Sequence, residues 1–469
     1  MRVLFATAEL APLVRVGGLA EAAGGLVRAL RASGLEVDVV VPDYFGTRLA
    51  DEETRAISVP PWVGPSTART GMLDGFGEIT LVDVAHIRRP HPYMDGALGW
   101  ADNDKRFIGF SAVCAELAQE QGADILHAND WHTGAALGFV DPSIRTVFSI
   151  HNLAYQGEAH IGWVDVFDER GSAFNRHGSC NPMAGALTLA DRIVAVSPTY
   201  AREILDDVNG AGLTDILHER AGQGALIGIL NGIDTTEWNP STDANLERPY
   251  GVRDFRVANP AAKAACRAAL RSRLALPERA GPLLSMVTRL VEQKGVDLAA
   301  ALVPYLDSVD GQLALLGSGD PAMAADLHGL ADRSPERFAF HLGYDLALSH
   351  QMFGGADLYL MPSRFEPCGL AQMQAMAYGA IPIVTDVGGL HDTVVDADAD
   401  TAATAANGIV ARAVDAGGLV DALHRGARVW QDRRRRLNLI RTGMRTDWSW
   451  ESPALQYLAL YEHVVSETA

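Results

Sequence analysis

The sequence predicts an α/β protein built from two doubly wound domains, on three observations. At 469 residues the chain is longer than one hydrophobic core usually organises, so two compact domains are expected. Short aliphatic runs alternate with longer amphipathic stretches, the pattern of buried parallel strands joined by crossover helices. The alternation comes in two series, separated by a polar stretch at 231–250 rich in Asn, Asp, Pro and Thr.

The first series places strands at 3–6, 37–41, 125–127, 146–151, 193–196 and 226–230, each mostly β-branched or aliphatic and too short for a helix. Residues 19–32 and 107–121 between them have helical amphipathic spacing. The second series places strands at 283–288, 313–316, 338–341, 358–361 and 381–385. Domain boundaries follow at 1–236 and 237–446, with the link near 232–249. A tail at 447–469 resumes an apolar, helical pattern and is expected to dock on the rest of the chain. Open α/β sheets bind ligands beyond the carboxyl ends of their strands, so a cleft between the two domains is the expected site.

Composition narrows the function. A net charge of −19 argues against a general nucleic-acid binder, while a phosphate ligand remains compatible wherever basic residues converge. Only three lysines occur, Lys105, Lys263 and Lys294. Cys114, Cys180, Cys266 and Cys368 show neither CxxC pairing nor zinc spacing, which reads as free thiols in a reducing compartment. No apolar stretch reaches the roughly 18 residues a membrane span needs. The opening MRVLFATAEL reads as a strand, not as a signal segment. A cytoplasmic protein without a membrane partner is expected, and a homo-oligomer is compatible with that expectation.

Five motifs follow predicted strands. Arg15-Val16-Gly17-Gly18-Leu19 opens a helix; paired glycines admit a ligand close to the backbone, and helix N-terminal N–H groups favour anions. A tight turn with a surface arginine has the same appearance. In His127-Ala-Asn-Asp130-Trp131-His132, carboxylate and indole suit sugar hydroxyls and pyranose faces, whereas an N-cap at Asn129 or Asp130 with a buried Trp is the plain structural alternative. The histidines lie off HxxxH spacing, so no metal site is expected. His151-Asn152-Leu-Ala-Tyr155-Gln156-Gly157-Glu158 puts a histidine at a strand end beside amides that a core would not willingly bury. Thr288-Arg289-Leu-Val-Glu-Gln-Lys294-Gly295 carries two cations suited to a diphosphate; a solvated basic loop is the alternative. Pro362-Ser363-Arg364-Phe365-Glu366-Pro367-Cys368-Gly369-Leu370 holds a carboxylate in a constrained segment. Val387-Gly388-Gly389-Leu390 is expected to repeat the geometry of Gly17-Gly18.

Together with SPTYAREI at 197–204 and ILNGID at 229–234, these segments resemble the bacterial glycogen synthase and plant starch synthase family. Its members are retaining glycosyltransferases of the GT-B fold, glycosyltransferase family 5, with two Rossmann-like domains facing across a cleft. The resemblance implies glucose transfer from ADP-glucose to the non-reducing 4-OH of an α-1,4-glucan, with no metal and no further cofactor. It implies catalytic roles for Glu366, His151, Arg289 and Lys294, the latter two on the donor diphosphate. Arg15, Gly17, Gly18, Cys368, Gly369, Leu370 and Ala371 would line the donor, with Tyr344 against the adenine. Glu9, Glu21, Asp130, Trp131 and Asn152 would lie on the acceptor and sugar side. The tail would return to the first domain.

Three positions depart from the family pattern: Arg15 replaces Lys, Glu21 replaces Asp and Ala371 replaces Thr. A guanidinium fork does not superimpose on an ammonium. These departures motivate a second reading, a pseudo-glycosyltransferase that uses a nucleotide-linked cyclitol or other altered donor and an amino-sugar acceptor, as in acarbose-type assembly. A third is a catalytically weak glucan-binding protein.

Overall fold

Each aliphatic run singled out above forms a strand in the computed structural model, which describes residues 1–96, 98–257, 259–399 and 405–467; the strand ends shift by up to three residues. The chain forms two compact units, Met1–Gly232 with Trp450–Ala469, and Ile233–Ser449.

In the first unit the strands run in chain order. They are β1 (Arg2–Ala6), β2 (Glu36–Pro42), β3 (Ala50–Ile57), β4 (Ser66–Leu73), β5 (Gly77–Asp83), β6 (Met94–Asp95) and β7 (Leu98–Gly99). Then follow β8 (Ile125–Asn129), β9 (Arg145–Ile150), β10 (Asn175–Arg176), β11 (Ser179–Cys180), β12 (Arg192–Ala195) and β13 (Leu226–Gly228). Among the described residues, nine of these form one sheet in the order β13-β12-β9-β8-β1-β2-β5-β4-β3. Pairing is parallel from β13 through β5 and antiparallel for β4 and β3. Strands β6 with β7 and β10 with β11 make separate two-stranded ribbons.

Strand β5 and the antiparallel edge of β4 and β3 lie outside the expected strand set, and burial explains the outermost of them. Strand β3 carries Asp51, Glu52, Glu53 and Arg55 and is exposed along nearly its whole length, so no aliphatic run announces it. Charge on an edge strand also discourages pairing with another chain. The helix expected at 107–121 begins earlier, as Asn103–Glu120. Its first turn hides Arg106, a buried guanidinium that donates to the carbonyls of Pro92 (3.0 Å) and Ile87 (2.8 Å).

Trp450 and the helix Glu451–Ser466 belong to the first unit. Trp450, Tyr457, Leu460 and Tyr461 are buried in one cluster with Val3, Phe5, Leu26 and Val27. Burying each such side chain contributes about 1.5–3 kcal/mol. A Cβ at Gly25 would overlap the Trp450 ring, so glycine is needed there for close packing. Positions 468 and 469 of the expected tail lie outside the described residues.

The second unit has β14 (Leu283–Leu290), β15 (Gln312–Gly319), β16 (Phe338–Leu342), β17 (Leu358–Met361), β18 (Ile381–Val384) and β19 (Ile409–Val410). They form a parallel sheet in the order β16-β15-β14-β17-β18-β19. Strand order reverses between β14 and β17 here, and between β1 and β8 in the first unit. Such reversals open crevices at the carboxyl ends of the strands. At β14 and β17 the main-chain pairing covers only Leu284↔Leu358 and Ser285↔Tyr359. Beyond it the Tyr359 hydroxyl takes the place of the ladder, accepting from Val287 N (3.1 Å) and donating to Val287 O (3.2 Å).

Candidate active site

The first three motifs leave the carboxyl ends of β1, β8 and β9, which are neighbours in the first sheet. Glu9, just past β1, is buried. Its Oε2 accepts from the backbone N–H groups of Val16 (2.9 Å) and Gly17 (2.8 Å), and its Oε1 accepts from the Tyr93 hydroxyl (2.8 Å). The carboxylate therefore holds the glycine loop in place. Arg15 in that loop pairs with Glu21 in the first turn of the helix Gly18–Ala32, at 2.9 Å. Two of the three departures from the family pattern are thus partners. No described atom lies within 4 Å of a Cβ built on Gly17 or Gly18, so the space above the pair is open.

Asp130 sits in the left-handed region (φ 56°) at the start of the short helix Trp131–Gly134. The N-cap expectation fails in detail, because its side chain makes no capping bond to that helix. Instead Oδ1 accepts from His151 N (2.7 Å) and Asn152 N (3.2 Å), stitching the end of β9 to the end of β8. His151 Nε2 lies 2.9 Å from Asn129 Oδ1. Asn152 Oδ1 accepts from Ala154 N (3.1 Å), so this amide shapes its own turn.

Burial dominates the electrostatics of this region. It pushes the Asp130 carboxyl up to about 7; the two backbone N–H donors oppose the shift and the nearby Glu9 adds to it. It also lowers the imidazoles of His127, His132 and His151 to about 3 each, leaving them neutral.

His127 belongs to the core. Its Nδ1 meets the Tyr461 hydroxyl at 2.6 Å and its Nε2 meets Ser149 Oγ at 2.7 Å. Trp131 is half-buried rather than buried, and it stacks on His132 with centroids 4.2 Å apart. His132 in turn packs on Tyr93 at 4.7 Å. Tyr93 is the residue that sequence reasoning missed. It lies outside every strand–loop motif, and its contacts with Glu9 and His132 mark it.

In the second unit the fourth and fifth motifs leave β14 and β17. Lys294 Nζ donates to Glu366 Oε1 (2.8 Å) and Oε2 (2.6 Å), and the buried Ser363 hydroxyl donates to Oε2 (2.9 Å). The two residues assigned separately to diphosphate and sugar therefore form one ion pair. The Arg289 side chain, at the end of β14, makes no hydrogen bond or ion pair with the described residues. Arg364 pairs in bidentate fashion with Asp297.

Cys368 is buried, and Gly369 adopts φ 70°. Leu370 is the N-cap and Ala371 the first residue of the helix Ala371–Ala377, with no side-chain cap at its start. Tyr344 is 71% exposed beside Gly343 (φ 127°), which leaves its ring free to stack. The expected likeness between the two glycine pairs does not hold. Gly388 needs φ 44° and a Cβ at Gly389 would overlap the Cys368 carbonyl, whereas Gly17 is extended (φ −147°) in open space. Among the described residues no group of three or more His, Cys, Asp or Glu side chains is placed to hold a metal ion. Among the described residues no helix is long and apolar enough to cross a membrane.

Known proteins match along the whole length of the chain. Residues 2–219 match the starch synthase catalytic domain family, and residues 271–442 match glycosyl transferases group 1. The glycogen synthase of Thioalkalivibrio sulfidiphilus is 40% identical, covering 99% of this chain and 100% of the relative. That of Halorhodospira halophila is 41% identical over 99% of each. Among solved structures, the catalytic domain of starch synthase IV from Arabidopsis thaliana, bound to ADP and acarbose, superposes with a TM-score of 0.89 at 33% identity over 99% of both chains. A sucrose-phosphate synthase from Thermosynechococcus elongatus, 19% identical with a TM-score of 0.64, shares the fold. The fold class is GT-B, and the chain belongs to the glycogen synthase and starch synthase family.

Proposed function

We propose that this chain transfers glucose from ADP-glucose to the non-reducing 4-OH of an α-1,4-glucan with retention of configuration. The observation that carries this reading is the full-length likeness to a starch synthase bound to ADP and acarbose, together with family membership. In the reaction the bond from glucose C1 to the diphosphate oxygen breaks. The acceptor 4-oxygen bonds to C1 on the same face, and its proton passes to the departing phosphate.

Arg289 and Lys294 stabilise the charge that develops on the diphosphate; such fixed donors cost no reorganisation at the moment of reaction. Glu366, gripped by Lys294 and Ser363, lies beside the transferred glucose. The exposed Tyr344 ring stacks on adenine, and Gly369, Leu370 and Ala371 line the donor. In the first unit, Glu9 and Asp130 hold backbone groups of the glycine loop and of His151-Asn152 in place for the sugar. Since fixed cations do the electrostatic work, no metal is required. The chain works in the cytoplasm, in keeping with four buried free cysteines.

The test is glucose incorporation into glycogen from ADP-glucose, UDP-glucose and GDP-linked donors. Robust turnover of ADP-glucose is expected. Its absence in a folded protein that still binds ADP would overturn the donor assignment and revive the cyclitol reading; glucan binding without any turnover would favour the third.

A further inference from the structure

Lys294 and Glu366 sit on loops 72 residues apart, and the strands beneath those loops stop pairing well before they reach them. Another set of contacts holds the loops together. Arg364 Nη1 and Nη2 donate to Asp297 Oδ1 (2.8 Å) and Oδ2 (2.7 Å), and Nη1 also donates to Glu292 O (2.8 Å). Arg364 N donates to Gln293 O (2.8 Å), and Gln293 Nε2 donates to Phe365 O (3.2 Å). Gly295, at φ 62°, lies so close to Pro362 that a Cβ would overlap its carbonyl. Everything in this zipper joins residues 292–297 to residues 362–365, and Lys294 and Glu366 lie within or next to those segments.

We propose that Arg364 and Asp297 are positioning residues, whose forked pair fixes the Lys294 loop against the Glu366 loop and so sets the Lys294–Glu366 contact. The inference rests on the roles of Lys294 and Glu366 proposed above. Both partners are partly exposed, at 34% and 58%, and exposed pairs add little to stability. Their contribution is geometric. While Lys294 shifts part of its charge from Glu366 to the diphosphate, the clamp keeps the two loops at fixed separation. Displacing a reacting group by about 1 Å costs roughly 100-fold in rate.

The experiment uses the full chain and its variants Arg364→Ala, Arg364→Lys and Asp297→Asn. It measures kcat and KM for ADP-glucose, the thermal midpoint, and amide hydrogen exchange across residues 291–297. In Arg364→Ala and Asp297→Asn, kcat is expected to fall about 10- to 100-fold with a much smaller change in KM. The midpoint should fall by no more than about 4 °C. Arg364→Lys keeps the charge but not the fork, so it should recover only part of kcat. Wild-type kcat in Arg364→Ala, or a loss matched by its unfolded fraction, overturns the proposal. Should that variant not fold, Asp297→Asn and Arg364→Lys decide by the same criteria. A wild type inactive on ADP-glucose sinks the proposed function instead. The clamp is then judged by exchange alone: faster exchange in the variants supports it, and unchanged exchange overturns it.

Discussion

Replacing Glu9 by Gln tests whether its carboxylate anchors the glycine loop. Glutamine keeps the shape but removes the charge; with its oxygen on the Val16 and Gly17 N–H groups, its NH2 faces Tyr93 and that bond must reverse into a neutral one. Hydrogen bonds to charged groups are worth about 1.5–3 kcal/mol and neutral ones about 0.5–1.5, so each bond loses about 1 kcal/mol. Across the three, the loss is about 3 kcal/mol. For a unit of this size each kcal/mol moves the midpoint by about 2–4 °C, so a fall of about 6–12 °C is expected. Scanning calorimetry measures it, with the first unit's transition assigned as the one that also moves in Tyr461→Phe. Tyr93→Phe deletes one hydrogen bond to the carboxylate outright and should cost about 1.5–3 kcal/mol. The double variant should fall short of the sum, because both changes act on one network. An unmoved midpoint in Glu9→Gln would refute the anchoring role.

Lys294→Ala should lower kcat much more than it raises KM, because the charge it meets develops in the transition state; near-normal steady-state kinetics would remove Lys294 from the site. Turnover should survive exhaustive chelation, and activity lost to EDTA but restored by magnesium or manganese would contradict a metal-free mechanism. The first unit should lose stability on acidification. Buried His127 and His132 and half-buried His151 take up protons only near 3 when folded, but near 6.5 when unfolded, so between those values the unfolded chain binds more protons and acid favours it. Asp130, raised to about 7 from 3.8, works in the opposite sense but is one group against three. A thermal midpoint lower at pH 5 than at pH 7.5 is expected, and a flat profile would contradict neutral burial.

Most central strands could be read from the sequence because strands covered on both faces are aliphatic throughout; β5, with its buried Ile79–Val82, is the exception. The outlying β3 escaped notice because almost nothing covers it, so its sequence matches that of a polar loop. Candidate site residues stand out singly in the segments that follow strands, as with His151 just past β9 and Glu366 five residues past β17. Their pairings do not. Lys294 with Glu366, and Asp130 with the backbone of His151, arise because parallel crossovers bring distant strand ends side by side, which no local spacing records. Arg15 and Glu21 looked like independent departures until one helical turn brought them together. Tyr93 left no trace, since a hydroxyl reaching a carboxylate 84 positions away has no periodicity.

The return of residues 450–467 to the first unit has a consequence for biosynthesis. Trp450, Tyr457 and Tyr461 fill the same core as β1, yet the chain must be extended by 218 residues after Gly232 before Trp450 exists. At about 5–20 residues per second that interval lasts roughly 10–45 s. Throughout it the His127 ring has no Tyr461 hydroxyl to bond and the groove at Gly25 has no indole to fill it. A nascent or prematurely terminated chain therefore displays an apolar seam that the finished protein hides. Chaperones and proteases can use that seam to tell an incomplete product from a complete one.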